Sequence, residues 1–242
     1  MSEILRVAFT SIRGNLFRAS LTMLGVIIGV AAVIAMLALG TGAQRAIDEQ
    51  LESLGANVVT VTTGMRFAQG VAREQQVLTT DDADALRDDA GNVSAVAPEQ
   101  TSRQQVKFGN RNINLSVIGT TPEHRVVNGY TMLAGGRFTA TEDASHGRVA
   151  VLGGEVPEQL QVSALDLVGR QILVKAMPFE VVGIYQKKGA VGPGNPDDDV
   201  FIPIRTSRYR VTGDDRIQSI AVQVAPGVEL ARAMVEVERV VR

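Results

Sequence analysis

The strongest pattern in the chain is an interruption of its polar rhythm. From Ala19 to Gln44 no charged residue occurs, and 18 of those 26 positions are hydrophobic. A helix of that length runs about 39 Å against a hydrocarbon core of about 30 Å, enough to cross a membrane with some tilt. Buried core helices rarely run so far without a charge, and the apolar part of a cleaved signal peptide is shorter, at about 7–15 residues. The segment 19–44 is therefore expected to be an uncleaved transmembrane helix. Upstream, Ile4, Leu5, Ala8, Phe9, Ile12 and Leu16 recur at helical spacing. They predict an amphipathic helix over residues 1–18, lying along the inner membrane face. Downstream, helical periodicity continues through Ile47, Leu51 and Leu54 to Gly55, so the span is expected to extend as a stalk.

The rest of the chain is patterned for an α+β domain. Asn57–Thr63 (NVVTVTT) is β-branched and reads as a strand, and residues 64–76 as a loop. Thr79 with Asp82 forms a capping-box pattern that opens a helix reaching Asp89. Strands are expected at 93–97 and 102–108, and Gly109-Asn110 turns the chain into another at 112–119. Residues 148–152, 171–175 and 179–185 are further strands, with Ala176-Met177-Pro178 as the tight link between the last two. Gly189–Asp199 is a loop by composition. A strand at 200–204, a short helix at 206–211, a strand at 217–224 and a helix from Val228 onward complete the reading. The two ends share an α/β texture and the middle is β-rich. This predicts a β-rich subdomain, residues 105–204, inserted into a βαβ-type one made of residues 45–104 and 205–242.

Charge sets the orientation and removes several functions. Arg6, Arg13 and Arg18 precede the span with one acid, Glu3, whereas Asp48, Glu49 and Glu52 follow Arg45 after it. The positive-inside bias places the N-terminus in the cytoplasm and the bulk of the chain outside. Net charge is −2 and no basic stretch stands out, which disfavours a nucleic-acid binder. Outside the span the chain is roughly 42% apolar, an ordinary globular share, so bulk disorder is excluded as well. The absence of cysteine rules out a disulfide scaffold, a thiolate zinc site and a cysteine nucleophile. Aromatic residues make up 4% of the chain, with no Trp, which argues against large stacking platforms.

Motifs that carry chemistry are few. No G-x-x-x-x-G-K-[ST] phosphate cradle and no G-x-S-x-G elbow occurs. Gly189–Gly194 lacks the strand–turn–helix frame of a dinucleotide fingerprint. The two histidines, His124 and His146, fall in turn-like settings and read as solvated loop residues. Asp197, Asp198 and Asp199 read as a solvated charge run, because three adjacent acids do not converge on one calcium ion. No catalytic centre, cofactor or metal is expected. Within the span, Gly25 and Gly29 form a G-x-x-x-G pair that presents a flat face for close helix contact.

Several segments together carry a family likeness. Arg18–Gly29 (RASLTMLGVIIG) resembles the first membrane helix of MacB/FtsX-type ABC-transporter permeases, as does Leu54–Val61 (LGANVVTV) just beyond it. Leu78–Leu86 (LTTDDADAL) is similar to the family's first periplasmic helix and Val93–Pro98 (VSAVAP) to the following strand. Val117–Pro122 (VIGTTP), Gly135–Phe138 (GGRF), Arg148–Gly153 (RVAVLG), Val168-Gly169, Phe179–Gly183 (FEVVG) and Asp199–Pro203 (DVFIP) resemble its periplasmic core in order. The resemblance covers essentially the whole chain.

The resemblance implies a MacB-type permease subunit of the inner membrane. An ABC ATPase, on a separate chain or a fused domain, would drive the membrane helices. The stalk residues Ile47, Leu51 and Leu54 would pass that motion to a periplasmic core, residues 45–242, with a ferredoxin-like, porter-like subdomain. Substrates such as antibiotics, peptides or lipoproteins would be exported, with a periplasmic adaptor and an outer-membrane channel as partners and a homodimer as the full permease. Family members carry three further membrane helices after the periplasmic domain, so residues 1–242 are expected to be part of a larger permease. The alternative is an FtsX-like scaffold that activates a periplasmic partner such as a cell-wall hydrolase.

Overall fold

The computed structural model describes residues 16–53, 57–63, 67–68, 71–72, 77–189 and 195–241. The amphipathic helix expected at 1–18 therefore falls almost wholly outside the described residues, as does Leu54. The chain divides after Glu52 into two units.

The first unit contains α1, Leu16–Ser53, a single helix of 38 residues. Its stretch Ser20–Gly42 is long and apolar enough to cross a membrane, and none of that window is buried inside the protein. Hydroxyls in this helix turn back on its own carbonyls: Ser20 Oγ donates to Phe17 O at 2.9 Å, and Thr41 Oγ1 to Leu37 O at 3.0 Å. Each such bond removes a polar hydrogen that a lipid environment would leave unsatisfied. The helix begins three residues before Ala19 and continues nine beyond Gln44, through Ile47 and Leu51.

In the second unit the elements follow as β1 (Val58–Thr62), β2 (Phe67–Ala68), β3 (Val71–Ala72), β4 (Leu78–Thr79), α2 (Thr80–Asp89), β5 (Val93–Phe108) and β6 (Arg111–Thr120). Then come α3 (His124–Val127), β7 (Met132–Gly135), α4 (Ala140–Ala144), β8 (Val149–Leu152), α5 (Val156–Leu160), α6 (Ala164–Leu167), β9 (Gln171–Val174) and β10 (Met177–Tyr185). A 3-10 turn at Pro196–Asp198 leads to β11 (Val200–Pro203) and α7 (Ile204–Thr206), which runs into a π-helical turn at Ser207–Thr212. The described residues close with β12 (Arg216–Ile217), β13 (Ser219–Val224) and α8 (Leu230–Val240).

Nine strands form one sheet in the order β1-β13-β5-β6-β11-β8-β10-β7, with β9 paired to both β10 and β5. Pairing is antiparallel except for β10 with β8 and β11 with β6. The strand order explains one departure from sequence. Pro98 suggests a break between two strands, yet β5 runs through it for 16 residues. Its first half pairs with β13, up to Glu99 opposite Ser219, and its second half with β6, from Gln100 opposite Gly119. Pro98 thus stands where the strand changes partners, a place where a missing N–H is tolerated.

On one face of β1-β13-β5, α2 and α8 cover Val96, Ile220 and Val222, joining Leu86 and Val237 in a common core. Thr79 caps α2 through the reciprocal box that its sequence announces: Asp82 accepts from Thr79 N at 2.7 Å. The opposite face is covered by α3, whose Val127 packs on Ala97 and Ala221. Farther along the sheet, α5 and α6 close a second core around Phe179, Leu152 and Ile202. A third group, Tyr130, Phe138, Tyr185 and Phe201, lies with Ile118 and Val151. Strands β8 and β11 are buried at every position, the signature of strands covered on both faces.

The β9–β10 link also differs from the sequence reading. The turn is Lys175-Ala176, with φ values of 50° and 63°, and Pro178 sits inside β10 opposite Leu173. Left-handed residues other than glycine cost about 1 kcal/mol each. The turn is held by Lys175 N–H donating to Gln105 O at 3.1 Å and Lys175 Nζ to Val211 O at 2.7 Å.

Candidate functional site

Gly25 and Gly29 stand four residues apart on α1, on one face, with no heavy atom within 4 Å of the place a Cβ would occupy at either. That leaves a smooth, open strip in an otherwise apolar helix. Ile47 and Leu51 lie in the last turns of the same helix.

The second unit holds polar residues that local sequence does not reveal. His124, expected in solvent, is 3% exposed. Its Nε2 donates to Glu99 Oε1 at 3.0 Å, and Ser219 Oγ donates to the other oxygen, Glu99 Oε2, at 2.9 Å. The imidazole stacks on Tyr130, with ring centroids 5.4 Å apart, and tilts against Phe201 at 5.0 Å. Tyr130 in turn stacks on Tyr185 at 4.7 Å. A chain with few aromatic residues thus spends three of them, and a histidine, on one stack. Burial pushes the Glu99 carboxyl up, but the bond and charge of His124 and the bond from Ser219 more than offset it and hold Glu99 below the usual carboxylate range. Because Glu99 stands between Ser219 and His124, the ring does not activate that hydroxyl.

Of the acidic run, Asp197 is likewise not solvated, while Asp198 and Asp199 are half-buried. Asp197 is 2% exposed, and its carboxylate accepts from Lys188 N at 2.9 Å and Gly189 N at 2.7 Å. Asp198 accepts from Asn195 Nδ2 at 2.9 Å. Asp199 is pushed up to about 6, chiefly by burial, with the charges of Asp198, Glu99 and Asp197 adding and a Ser116 bond opposing. Among the described residues, no group of three or more His, Cys, Asp or Glu is placed to hold a metal ion.

Asp199 gives a pH prediction with a definite sign. Between pH 4 and about 6 an unfolded chain ionises this carboxyl while the folded protein keeps it protonated, so stability falls with rising pH and the penalty is complete above about 6. Asp199→Asn, which retains an acceptor for Ser116, should stabilise the domain by roughly 2 kcal/mol at neutral pH and little at pH 4. Denaturant unfolding of both proteins at the two pH values checks this; equal gains at both would contradict it.

An open cleft of about 720 Å³ lies between α2 and the α7 region. Thr80, Asp81, Asp84 and Arg87 form one bank, and Asp143, His146, Arg205, Arg208 and Tyr209 the other. Its arginines are already engaged: Arg87 with Asp84 at 2.7 Å, Arg208 with Asp215 at 3.5 Å, and Arg205 with Asp143 at 3.7 Å. Arg208 Nη1 also reaches across to Thr80 Oγ1 at 3.3 Å, tying the banks together.

Comparison with known proteins places these features. Residues 19–240 match the family model described as the MacB-like periplasmic core domain. The chain is 33% identical over 233 residues to the macrolide export ATP-binding/permease protein MacB of Bdellovibrio bacteriovorus, covering 95% of this chain and 36% of that protein. The MacB protein of Rhodospirillum rubrum is 35% identical over 240 residues, covering 98% of this chain and again 36% of the relative. The chain thus spans about a third of the length of these curated relatives. In fold it is similar to the periplasmic region of MacB from Actinobacillus actinomycetemcomitans, with a TM-score of 0.67 at 21% identity over 79% of this chain and 85% of that one. It is also similar to the extracellular domain of the ABC-type transporter YknZ from Gram-positive bacteria, with a TM-score of 0.61 at 14% identity over 76% of this chain and 92% of that one. On the family model and these relatives, the chain belongs to the MacB-like periplasmic core domain family.

Proposed function

We propose that the chain is the first membrane helix and extracytoplasmic core of an ABC-transporter permease, and that its work is mechanical rather than catalytic. The observation that carries this reading is the length of α1. Of its 38 residues, 23 suffice to cross a membrane, and 11 more follow Gly42 without a break. Those 11 add about 16 Å of rod, over which an axial or tilting movement of the membrane part is delivered outward. Ile47 and Leu51 belong to this stalk. An ABC ATPase supplies the movement from the cytoplasm, where the arginine-rich N-terminus lies. Gly25 and Gly29 seat the helix against its neighbours in a homodimeric permease. The domain then drives a substrate, such as an antibiotic, peptide or lipoprotein, toward a periplasmic adaptor and an outer-membrane channel.

The test is affinity purification of the full-length permease from membranes in mild detergent. Recovery of an ABC ATPase in stoichiometric amount, with an adaptor, supports the transporter. Recovery of a cell-wall hydrolase in place of an adaptor supports the alternative, an FtsX-like activating scaffold. Absence of any ATPase sinks both.

A further inference from the structure

The helix α3 is a short bridge between two packing groups. Val127 at one end belongs with Ala97 and Ala221, while His124 at the other faces Tyr130 and Phe201. One ring nitrogen of His124 is spent on Glu99 at 3.0 Å. The other, Nδ1, is buried and meets no hydrogen-bond partner among the described residues.

A carboxylate only accepts, so Nε2 carries the hydrogen and a neutral ring leaves a bare lone pair on Nδ1. An unpaired lone pair in an aromatic surround is tolerated; an unpaired N–H on a cation is not. We propose that His124 is a proton-operated release for α3: protonation at Nδ1 places a buried donor where no acceptor stands, and the helix loosens from the sheet so that the donor reaches one. This goes beyond the transport reading and stands independently of it.

The charges that face the ring decide the balance. Glu99, from β5, is the carboxylate that touches the ring. Lys188 Nζ lies 5.5 Å from the centre of the Tyr130 ring and donates to Asn128 O at 2.6 Å. On the helix itself, Arg125 Nη1 donates to Tyr130 O at 3.1 Å, and Glu123 precedes the first turn. Asp199, near enough to couple to both Glu99 and Tyr130, takes up its own proton near 6. Asp197 is already bound to two backbone N–H groups. Tyr130 and Tyr185 stay neutral, since burial raises both hydroxyls. As pH falls through about 6 the charge of Asp199 is lost, while two cations remain.

Amide exchange on the full chain in detergent micelles tests the proposal, with rates corrected for their intrinsic pH dependence. The reporters are the amides of Val127, Asn128 and Tyr130, which donate to Glu123 O, His124 O and Arg125 O. Their protection should fall roughly tenfold as pH is lowered, in step with the C2 proton of His124. With two histidines in the chain, His146→Gln assigns that signal. His124→Gln, which keeps a neutral donor for Glu99, should remove the step. Should His124→Gln fail to fold, Asp199→Asn must keep the step. Constant protection while His124 titrates, a step that persists in His124→Gln, or its loss in Asp199→Asn would each overturn the proposal.

Discussion

Gly183→Ala should cripple folding of the extracytoplasmic unit. Gly183 lies opposite Gly135 where β10 meets β7. A Cβ at Gly183 would occupy the space of the Gly136 carbonyl oxygen and stand 2.5 Å from Met132 Cε. A Cβ at Gly135 would meet the Val182 carbonyl in the same way, and Gly135 has a φ of 71° besides. The obstacle is backbone on both sides, which cannot turn aside as a side chain does. Overpacking of this kind costs on the order of 3 kcal/mol or more. For a domain near 190 residues that lowers the melting temperature by roughly 6–12 °C. Far-ultraviolet circular dichroism of the full chain in detergent checks it. Gly25→Ala, where a methyl meets nothing, should leave the transition in place. Equal melting of Gly183→Ala and the parent would show that this strand crossing is looser than described.

Breaking the stalk should separate ATP hydrolysis from export in the complete permease. Ile47 and Leu51 lie in the part of α1 beyond its membrane-long stretch. Proline at Ile47 removes a backbone donor and clashes with the preceding turn, costing about 3 kcal/mol, whereas glycine at Leu51 costs about 1 kcal/mol. A rod should therefore fail in proportion: Ile47→Pro loses export by more than about tenfold, and Leu51→Gly loses part of it. ATPase activity should stay near the parent level in both, because no residue of the nucleotide site is touched. Both activities are measured on the same reconstituted preparation. Full export from Ile47→Pro would remove the mechanical role of α1. A parallel loss of ATPase activity would point to failed assembly instead.

What the chain discloses in its residue order is what local interactions decide. The uncharged run at 19–44, the Thr79–Asp82 box and the Gly109-Asn110 turn each act over a few residues, and each appears where its pattern places it. The misread features depend on distant partners. Asp197 is buried because Lys188 and Gly189 bring two N–H donors to it, and no composition rule anticipates that. His124 looks like a loop histidine until β5 delivers Glu99, and Phe201 and Tyr130 close over the ring. Lys175 and Ala176 turn a hairpin without glycine or asparagine, because Gln105 and Val211 hold the strained turn from elsewhere. Pro98 interrupts a strand only in sequence, since the partner changes there. Glycine motifs such as GGRF and FEVVG carry the family likeness, and the crossing of Gly135 with Gly183 gives them a physical reason.

That α1 anchors an outward-facing domain with its N-terminus inside is directly measurable, because the sequence has no cysteine. Ser2→Cys and Ser145→Cys each introduce one thiol, the second at an exposed position beside α4. Intact cells with a permeabilised outer membrane are treated with a membrane-impermeant maleimide before and after lysis. Ser145→Cys should be labelled at once, Ser2→Cys only after lysis, and both should remain unprocessed. Labelling of Ser2→Cys from outside, protection of Ser145→Cys, or loss of the N-terminal segment would contradict it.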